Sequence, residues 1–253
     1  MKHEFIVREH SYDVPCLHSI NGREEIVCVV VHGFGSSKES PTAKMLFEEL
    51  PPLGISVIAF DFPAHGESGV DGEYLRLANC LTDLAVAEAR ARSLAPGAEI
   101  VYFGSSFGAY ITLVYLAVNG HYGRRAFLRS AAVTMPKLIH HLKPEQKAQL
   151  EKAGEFTLDA EEYGYIRPLK LTQGFFDDLE RHDVFTLWRE DMAELWMIHG
   201  EDDQTILLED ARPFAEKFQV PFTVVPGGDH RLSIPGAPEQ VLKLAVEFYR
   251  SKH

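Results

Sequence analysis

The stretch Ile100-Val101-Tyr102-Phe103-Gly104-Ser105-Ser106-Phe107-Gly108 decides how this chain is read. Four apolar residues suited to a buried strand run into a serine with glycine two positions before and two after it, and a long apolar helical stretch continues from there without a break. A strand that turns at once into a helix folds back so tightly that those two flanking residues must be very small. Gly104 and Gly108 meet that need. The turn lifts the Ser106 hydroxyl above the carboxyl edge of the sheet and sets it at the amino end of the helix, where free N–H groups and the helix dipole favour negative charge. A Gly-x-Ser-x-Gly pattern alone arises by chance in roughly one chain in ten of this length, with glycine at about 7% and serine taken as equally common. The strand before it and the helix after it make it a nucleophile elbow. Ser105 is a rival hydroxyl, but it lacks glycines at the two-residue spacing.

A serine hydroxyl is a poor nucleophile near neutral pH and needs a base, itself oriented by a carboxylate. Both lie downstream. Residues 194–198 read as a strand that ends in His199-Gly200-Glu201-Asp202-Asp203-Gln204, and the apolar run Phe222-Thr223-Val224-Val225 ends in Pro226-Gly227-Gly228-Asp229-His230. Serine, acid and histidine thus come in that order, each at the carboxyl end of a predicted strand, where open α/β sheets bind their ligands. Glu201, Asp202 and Asp229 compete with Asp203 as the acid. His32, His65 and His199 lie in turns and read as structural.

On these motifs the chain resembles the α/β-hydrolase superfamily over nearly its whole length. The resemblance implies an α/β-hydrolase fold: a mostly parallel, eight-stranded sheet with helices on both faces, in a single domain over residues 1–253. In that family the acid commonly lies three residues after the glycine of a His-Gly pair, which falls on Asp203. The base in the loop after the last strand falls on His230. Acyl chemistry also needs donors for the oxyanion, each worth about 3 kcal/mol of transition-state stabilisation. One is the N–H of Phe107, the residue after the nucleophile. The other, by similarity to the family's His-Gly-x loop, is the N–H of Phe34 in His32-Gly33-Phe34-Gly35, which comes after a strand over 26–31. A nucleotide loop does not fit there. A dinucleotide fingerprint needs a third glycine where Lys38 stands, and the Gly-Lys-Ser/Thr ending of a phosphate loop occurs nowhere in the chain. The segment Asp61-Phe62-Pro63-Ala64-His65-Gly66-Glu67-Ser68 resembles the family's Asp-x-x-x-His-Gly-x-Ser turn and is expected to brace the sheet edge and the oxyanion loop.

Composition agrees with a single α/β domain. The chain has 253 residues, 45% of them apolar, and its 25 basic against 37 acidic residues give 25 − 37 = −12. With no sizeable basic run, nucleic acid and anionic membrane surfaces are poor partners. The partner expected is a small-molecule ester, and a monomer and a homodimer are both left open. The start of the chain lacks the apolar core and cleavage site of a signal peptide, and no apolar stretch reaches the roughly 20 residues of a membrane span, so a cytoplasmic location is expected. Cys16, Cys28 and Cys80 are odd in number and widely spaced, which suits reduced thiols. The adjacent His140 and His141 would diverge on a helix and make a poor metal pair. No metal or other cofactor is expected.

Strand and helix patterns alternate along the chain as a parallel sheet requires. Strands are predicted over 5–9 and 14–20 as an antiparallel pair, then over 26–31, 56–60, 99–103, 126–133, 194–198 and 222–225. Helices are predicted over 42–50, 74–93, 107–118, 207–218 and 238–249. The alternation breaks between the sixth and seventh strands, and residues 136–190 are expected to form an inserted lid over the strand ends. That segment holds a charged helix candidate over 144–152 and the aromatics Tyr165, Phe175, Phe176 and Trp188, at least one of which should border the substrate. A lid in this place is similar to that of bacterial cinnamoyl or feruloyl esterases, and monoacylglycerol lipase-like enzymes and serine aminopeptidases share the plan. The resemblance implies a serine hydrolase of carboxylic esters with a compact, aromatic-tolerant acyl pocket. Ser105 and Phe107 stand where those families often carry histidine and glutamine. Thioester and amide hydrolysis, lyase chemistry with the same three residues, and a non-hydrolytic binding protein on the same scaffold are the alternatives.

Overall fold

Runs of β-branched and aromatic residues make strands that are buried on both faces when helices cover a sheet from either side. The computed structural model describes residues 1–8 and 11–251. Among these residues the main sheet has eight strands: β1 (Lys2–Ile6), β2 (Val14–His18), β3 (Ile26–Val31), β4 (Ile55–Phe60), β5 (Glu99–Ser105), β6 (Arg125–Arg129) and, beyond a separate hairpin of β7 (Glu155–Leu158) and β8 (Leu169–Thr172), β9 (Glu194–Gly200) and β10 (Phe222–Val225). Their order across the sheet is β1-β2-β4-β3-β5-β6-β9-β10. Strand β2 runs antiparallel to β1 and to β4, and the remaining pairs are parallel. The helices are α1 (Pro41–Glu49), α2 (Leu77–Leu94), α3 (Phe107–Val118), α4 (Pro144–Ala153), α5 (Ala160–Tyr163), α6 (Gln173–Arg181), α7 (Val184–Leu187), α8 (Leu208–Lys217) and α9 (Ala237–Arg250).

Alternate residues of each strand feed two cores. Val27, Val29 and Val31 of β3, with Ile100 and Tyr102 of β5, pack beneath α2 and α3, with α8 covering β9 on the same face, whereas Cys28, Val30, Val101 and Phe103 belong to the core with α1 and α9. Helix α3 is buried along its whole first ten residues, Phe107 to Leu116, as a helix walled in on every side must be. Helix α1 starts where its sequence says it should: Ser40 accepts a hydrogen bond from the Ala43 N–H and Pro41 occupies the first helical position. No helix among the described residues is long and apolar enough to cross a membrane.

Three predicted elements shift by three residues or more. The sixth strand, expected to run to 133, stops at Arg129 because Ser130 adopts a left-handed φ of +50°. Ala131, Ala132 and Val133 are buried all the same, as a loop under the site, and their apolar character imitates a strand. The helix expected from 74 starts at Leu77, because Arg76 is extended and its guanidinium turns to Asp178, Nε to Oδ2 at 2.6 Å and Nη2 to Oδ1 at 2.8 Å. The first strand, expected over 5–9, covers Lys2–Ile6, and Glu9 lies outside the described residues.

Candidate active site

At the β5–α3 junction Ser106 sits at φ +53°, ψ −116°, a conformation that L residues rarely adopt and that the surrounding structure must hold in place. The reason for its two glycines is steric. A Cβ on Gly108 would lie 2.1 Å from the Val31 carbonyl oxygen and 2.5 Å from that of His32, and one on Gly104 would lie 2.7 Å from the Ala109 Cα. The start of α3 therefore rides directly against the end of β3. That contact brings the loop after β3 beside Ser106: a Cβ on Gly33 would be 3.4 Å from the Ser106 Cβ.

Asp203 and His230 reach the same point from the next two strands. Gly200 ends β9, and a Cβ there would strike the Gly228 carbonyl oxygen at 2.2 Å, so the turn after β9 and the loop after β10 lie backbone to backbone. The Asp202 N–H donates to the Gly228 oxygen at 2.9 Å across that contact. Asp203 is buried, and its Oδ1 accepts the N–H groups of Thr205 at 2.8 Å and Ile206 at 2.9 Å. Its Oδ2 accepts the Nδ1–H of His230 at 2.7 Å. A carboxylate only accepts, so this bond fixes the His230 tautomer and leaves Nε2 as the acceptor, 3.0 Å from the Ser106 Oγ. The result is one continuous chain from hydroxyl to imidazole to carboxylate, able to move the serine proton onto nitrogen. Both Ser106 and His230 are half-buried and reachable from outside.

Burial alone would raise the Asp203 carboxyl. Hydrogen bonds from His199 and His230, with the Ile206 N–H, outweigh it and hold the group well below the usual carboxylate range. The competing carboxylates are engaged elsewhere. Glu201 accepts the Gly227 N–H at 3.1 Å, Asp202 is exposed, and Asp229 closes its own loop on Ser233 through two bonds of 2.7 Å. Ser105 is buried and its Oγ accepts from the Arg129 Nε at 3.2 Å.

The loop after β3 makes a tight turn in which the Ser36 N–H donates to the Gly33 oxygen at 3.2 Å and Gly35, third of the four, has φ +68°. Such a turn needs that sign at its third residue and leaves the N–H of its second, Phe34, unused by the turn. Phe107 opens α3, where the first N–H groups have no partner within the helix. The loop is fixed from behind. The His32 Nδ1–H donates to the Gly33 oxygen at 2.8 Å and its Nε2 accepts the Phe62 N–H at 3.1 Å. Lys38, almost wholly buried, donates from its backbone N–H to Asp61 Oδ1 at 2.7 Å and from Nζ to Asp61 Oδ2 at 2.9 Å and Glu67 Oε2 at 2.6 Å. In the sequence Lys38 serves only to exclude a nucleotide loop; nothing local marks it as the tie between two turns.

His65, in the second of those turns, gives the molecule a pH dependence. Burial, with a smaller push from His32, lowers its imidazole from 6.5 to about 3. Between those values the unfolded chain carries a proton that the folded chain does not, so stability is full above pH 6.5 and falls as the pH drops toward 3. His65 should account for about 2 kcal/mol of lost unfolding free energy between pH 7 and pH 5. Urea unfolding of His65→Asn, which keeps a donor for Pro63, should lose correspondingly less over that interval; an equal loss in variant and parent would refute the assignment.

The four aromatics of the segment between β6 and β9 part company. Tyr165 lies edge-on to Phe34 with ring centroids 6.0 Å apart, and Phe175 stacks on Phe34 at 5.9 Å and lies 6.1 Å from Phe107. Both therefore pack on Phe34, and Phe175 on Phe107 as well. Phe176 stacks on Phe156 of the β7–β8 hairpin at 6.1 Å, and Trp188 packs on Phe214 of α8 at 6.5 Å.

A family model described as the alpha/beta hydrolase family matches residues 28–244. Among solved structures, a putative hydrolase from Agrobacterium vitis S4 has a TM-score of 0.81 at 19% identity, covering 98% of this chain and 98% of that one. Est1E from Butyrivibrio proteoclasticus, solved with ferulic acid bound, has a TM-score of 0.76 at 18% identity, covering 98% of this chain and 100% of that one. An esterase from Pyrococcus furiosus has a TM-score of 0.71 at 20% identity, with 98% and 90% of the two chains covered. No curated protein matches the sequence. At these identities the structural likeness is one of fold.

Proposed function

Because the chain belongs to the alpha/beta hydrolase family, we propose that it is a serine hydrolase that cleaves carboxylic esters through an acyl-enzyme intermediate, with Ser106 as nucleophile, His230 as general base and acid, and Asp203 as the orienting carboxylate. The observation that carries this reading is the unbroken chain from Ser106 Oγ through His230, 3.0 Å and 2.7 Å, to the buried Asp203. His230 takes the serine proton as Oγ bonds to the ester carbonyl carbon. The carbonyl oxygen gains the charge and accepts from the N–H groups of Phe34 and Phe107. As the tetrahedral centre collapses, the ester C–O bond breaks and the leaving alcohol takes the proton from His230. Water, deprotonated by His230, then attacks the acyl carbon, and Ser106 leaves with its proton restored. These steps use only side chains, main-chain N–H groups and water.

Within that reading the segment 136–190 acts as a cap whose Tyr165 and Phe175 meet Phe34 and Phe107 to wall an aromatic acyl pocket. Its ties to the body support a fixed wall: Arg76 with Asp178, Arg167 Nη1 donating to the Ser68 oxygen at 2.9 Å, and the Ile166 N–H donating to the Gly35 oxygen at 3.2 Å. The rings of Phe107, Tyr165 and Phe175 gathered on that of Phe34 favour a flat acyl group, in keeping with the ferulic acid held by Est1E. The test is a panel of p-nitrophenyl esters, a methyl hydroxycinnamate, a thioester and an anilide, with a reactive phosphonate as label. Ester turnover and phosphonate mass on the peptide holding Ser106 are expected. Turnover of no substrate, or label on another residue, would overturn the reading.

A further inference from the structure

Strand β6 lies between β5, which leads to Ser106, and β9, which leads to Asp203, and its last residue bonds to both the nucleophile turn and the histidine loop. Arg129 pairs with Ser105 on one side and with Ile198 on the other. The Ser106 N–H donates to the Arg129 carbonyl oxygen at 2.9 Å, and the Ser130 N–H donates to that of Ile198 at 2.9 Å. The side chain then turns toward the histidine loop. Its Nη1 donates to the carbonyl oxygen of Arg231 at 2.7 Å and to that of His230 at 3.3 Å, while Nε donates to Ser105 Oγ at 3.2 Å. The Ser130 hydroxyl, aimed by that residue's left-handed backbone, donates to the same His230 oxygen at 2.9 Å.

We propose that Arg129, assisted by Ser130, is the positioning residue that clamps the main chain of His230 so that its Nε2 stays in reach of Ser106 Oγ. The proposal rests on the reading of Ser106, His230 and Asp203 as a catalytic triad. A packing role does not explain a guanidinium here. Arg129 is 8% exposed, and its three hydrogen bonds all go to uncharged oxygens, an arrangement that costs desolvation energy an aliphatic side chain would not. Burial lowers it only to about 10, so it stays charged at neutral pH, where its field also acts on Asp203 and Asp229. What an aliphatic side chain could not supply is the planar fork, whose donors fix two successive carbonyls and a hydroxyl beside the nucleophile at once. A shift of about 1 Å in a catalytic group typically costs on the order of 100-fold in rate.

The experiment compares the full chain with Arg129→Met, Arg129→Lys and Ser130→Ala in steady-state ester hydrolysis. Alongside it, proton NMR tracks the downfield resonance of the Nδ1–H that His230 shares with Asp203, and thermal unfolding establishes that each variant is folded at the assay temperature. Arg129→Met and Arg129→Lys should lower kcat by about 10- to 100-fold with KM within about twofold, and should shift or broaden the resonance. Lysine keeps the charge and loses the fork, so it should rescue little. Ser130→Ala should lower kcat by about 2- to 10-fold. A folded Arg129→Met with kcat within about twofold of the parent, or a loss of rate with the resonance unmoved, would overturn the proposal. Should Arg129→Met not fold, an unchanged kcat in Ser130→Ala would do the same. Ser106→Ala in parallel separates the two readings: full activity there sinks the triad itself, not only the clamp.

Discussion

Ser106→Ala is expected to lower kcat for ester hydrolysis by on the order of 10⁴- to 10⁶-fold while KM changes little, because the variant keeps the pocket and the two N–H donors but has no atom to bond to the acyl carbon. The residue after it still opens α3, and the loop holding Phe34 still rests on His32 and Lys38, so a residual acceleration over water from oxyanion binding should remain. Ser105→Ala is the control. Its hydroxyl is buried and accepts from Arg129, so its loss should cost far less. A second variant separates chemistry from folding. Ser106→Gly should be as inactive as Ser106→Ala yet more stable by about 1 kcal/mol, since glycine adopts the φ of +53° without strain. Equal rates for Ser106→Ala and the parent would show that the hydroxyl takes no part.

Much of the candidate site is legible in the sequence because each of the groups proposed for it follows a strand whose own residues are unmistakable. Ile26 to Val31 and Ile100 to Phe103 are continuous apolar runs, and each gives way to a short polar turn that can only lie at the sheet edge. The spacing of glycines around Ser106 carries a steric reason that one can state before seeing the backbone, and the approach of Gly108 to Val31 is that reason made visible. Distinguishing Asp203 from Glu201 and Asp202 needs the family resemblance, since which of three neighbouring carboxylates points inward depends on the turn after β9. The hairpin of β7 and β8 escapes a sequence reading: four-residue strands ten residues apart leave too short a pattern. Arg129 and Lys38 carry no local signal. Arg129 meets His230 and Arg231 across about a hundred residues of chain, and Lys38 meets Asp61 and Glu67 only because two loops converge. Charged residues inside strands and turns gain meaning from what lies opposite, and one sequence does not say what that is.

Asp203→Asn should be nearly as damaging as loss of the serine, for a reason the hydrogen bonds dictate. Oδ1 accepts from two backbone N–H groups, Thr205 and Ile206, and an amide placed there must keep its oxygen on that side or leave two donors unpaired. Its NH₂ group then takes the place of Oδ2 and faces His230 Nδ1, as well as the Nε2 of the buried His199, 3.2 Å from Oδ2 in the parent. Both nitrogens donate in the parent, for His199 Nε2 also lies 2.8 Å from the Ile206 carbonyl oxygen. Donor would meet donor twice. For His230 the escape is the other tautomer, with Nδ1 accepting from the amide and Nε2 carrying the proton, and in that form Nε2 has no lone pair for the Ser106 hydroxyl. A fall in kcat of about 10⁴-fold with KM little changed is expected at neutral pH. The downfield Nδ1–H resonance should vanish, since its acceptor is gone. Steady-state kinetics and proton NMR on the same preparation decide the matter: a variant that keeps more than about a tenth of the parent's kcat would remove Asp203 from the mechanism, however close its carboxylate lies to the imidazole.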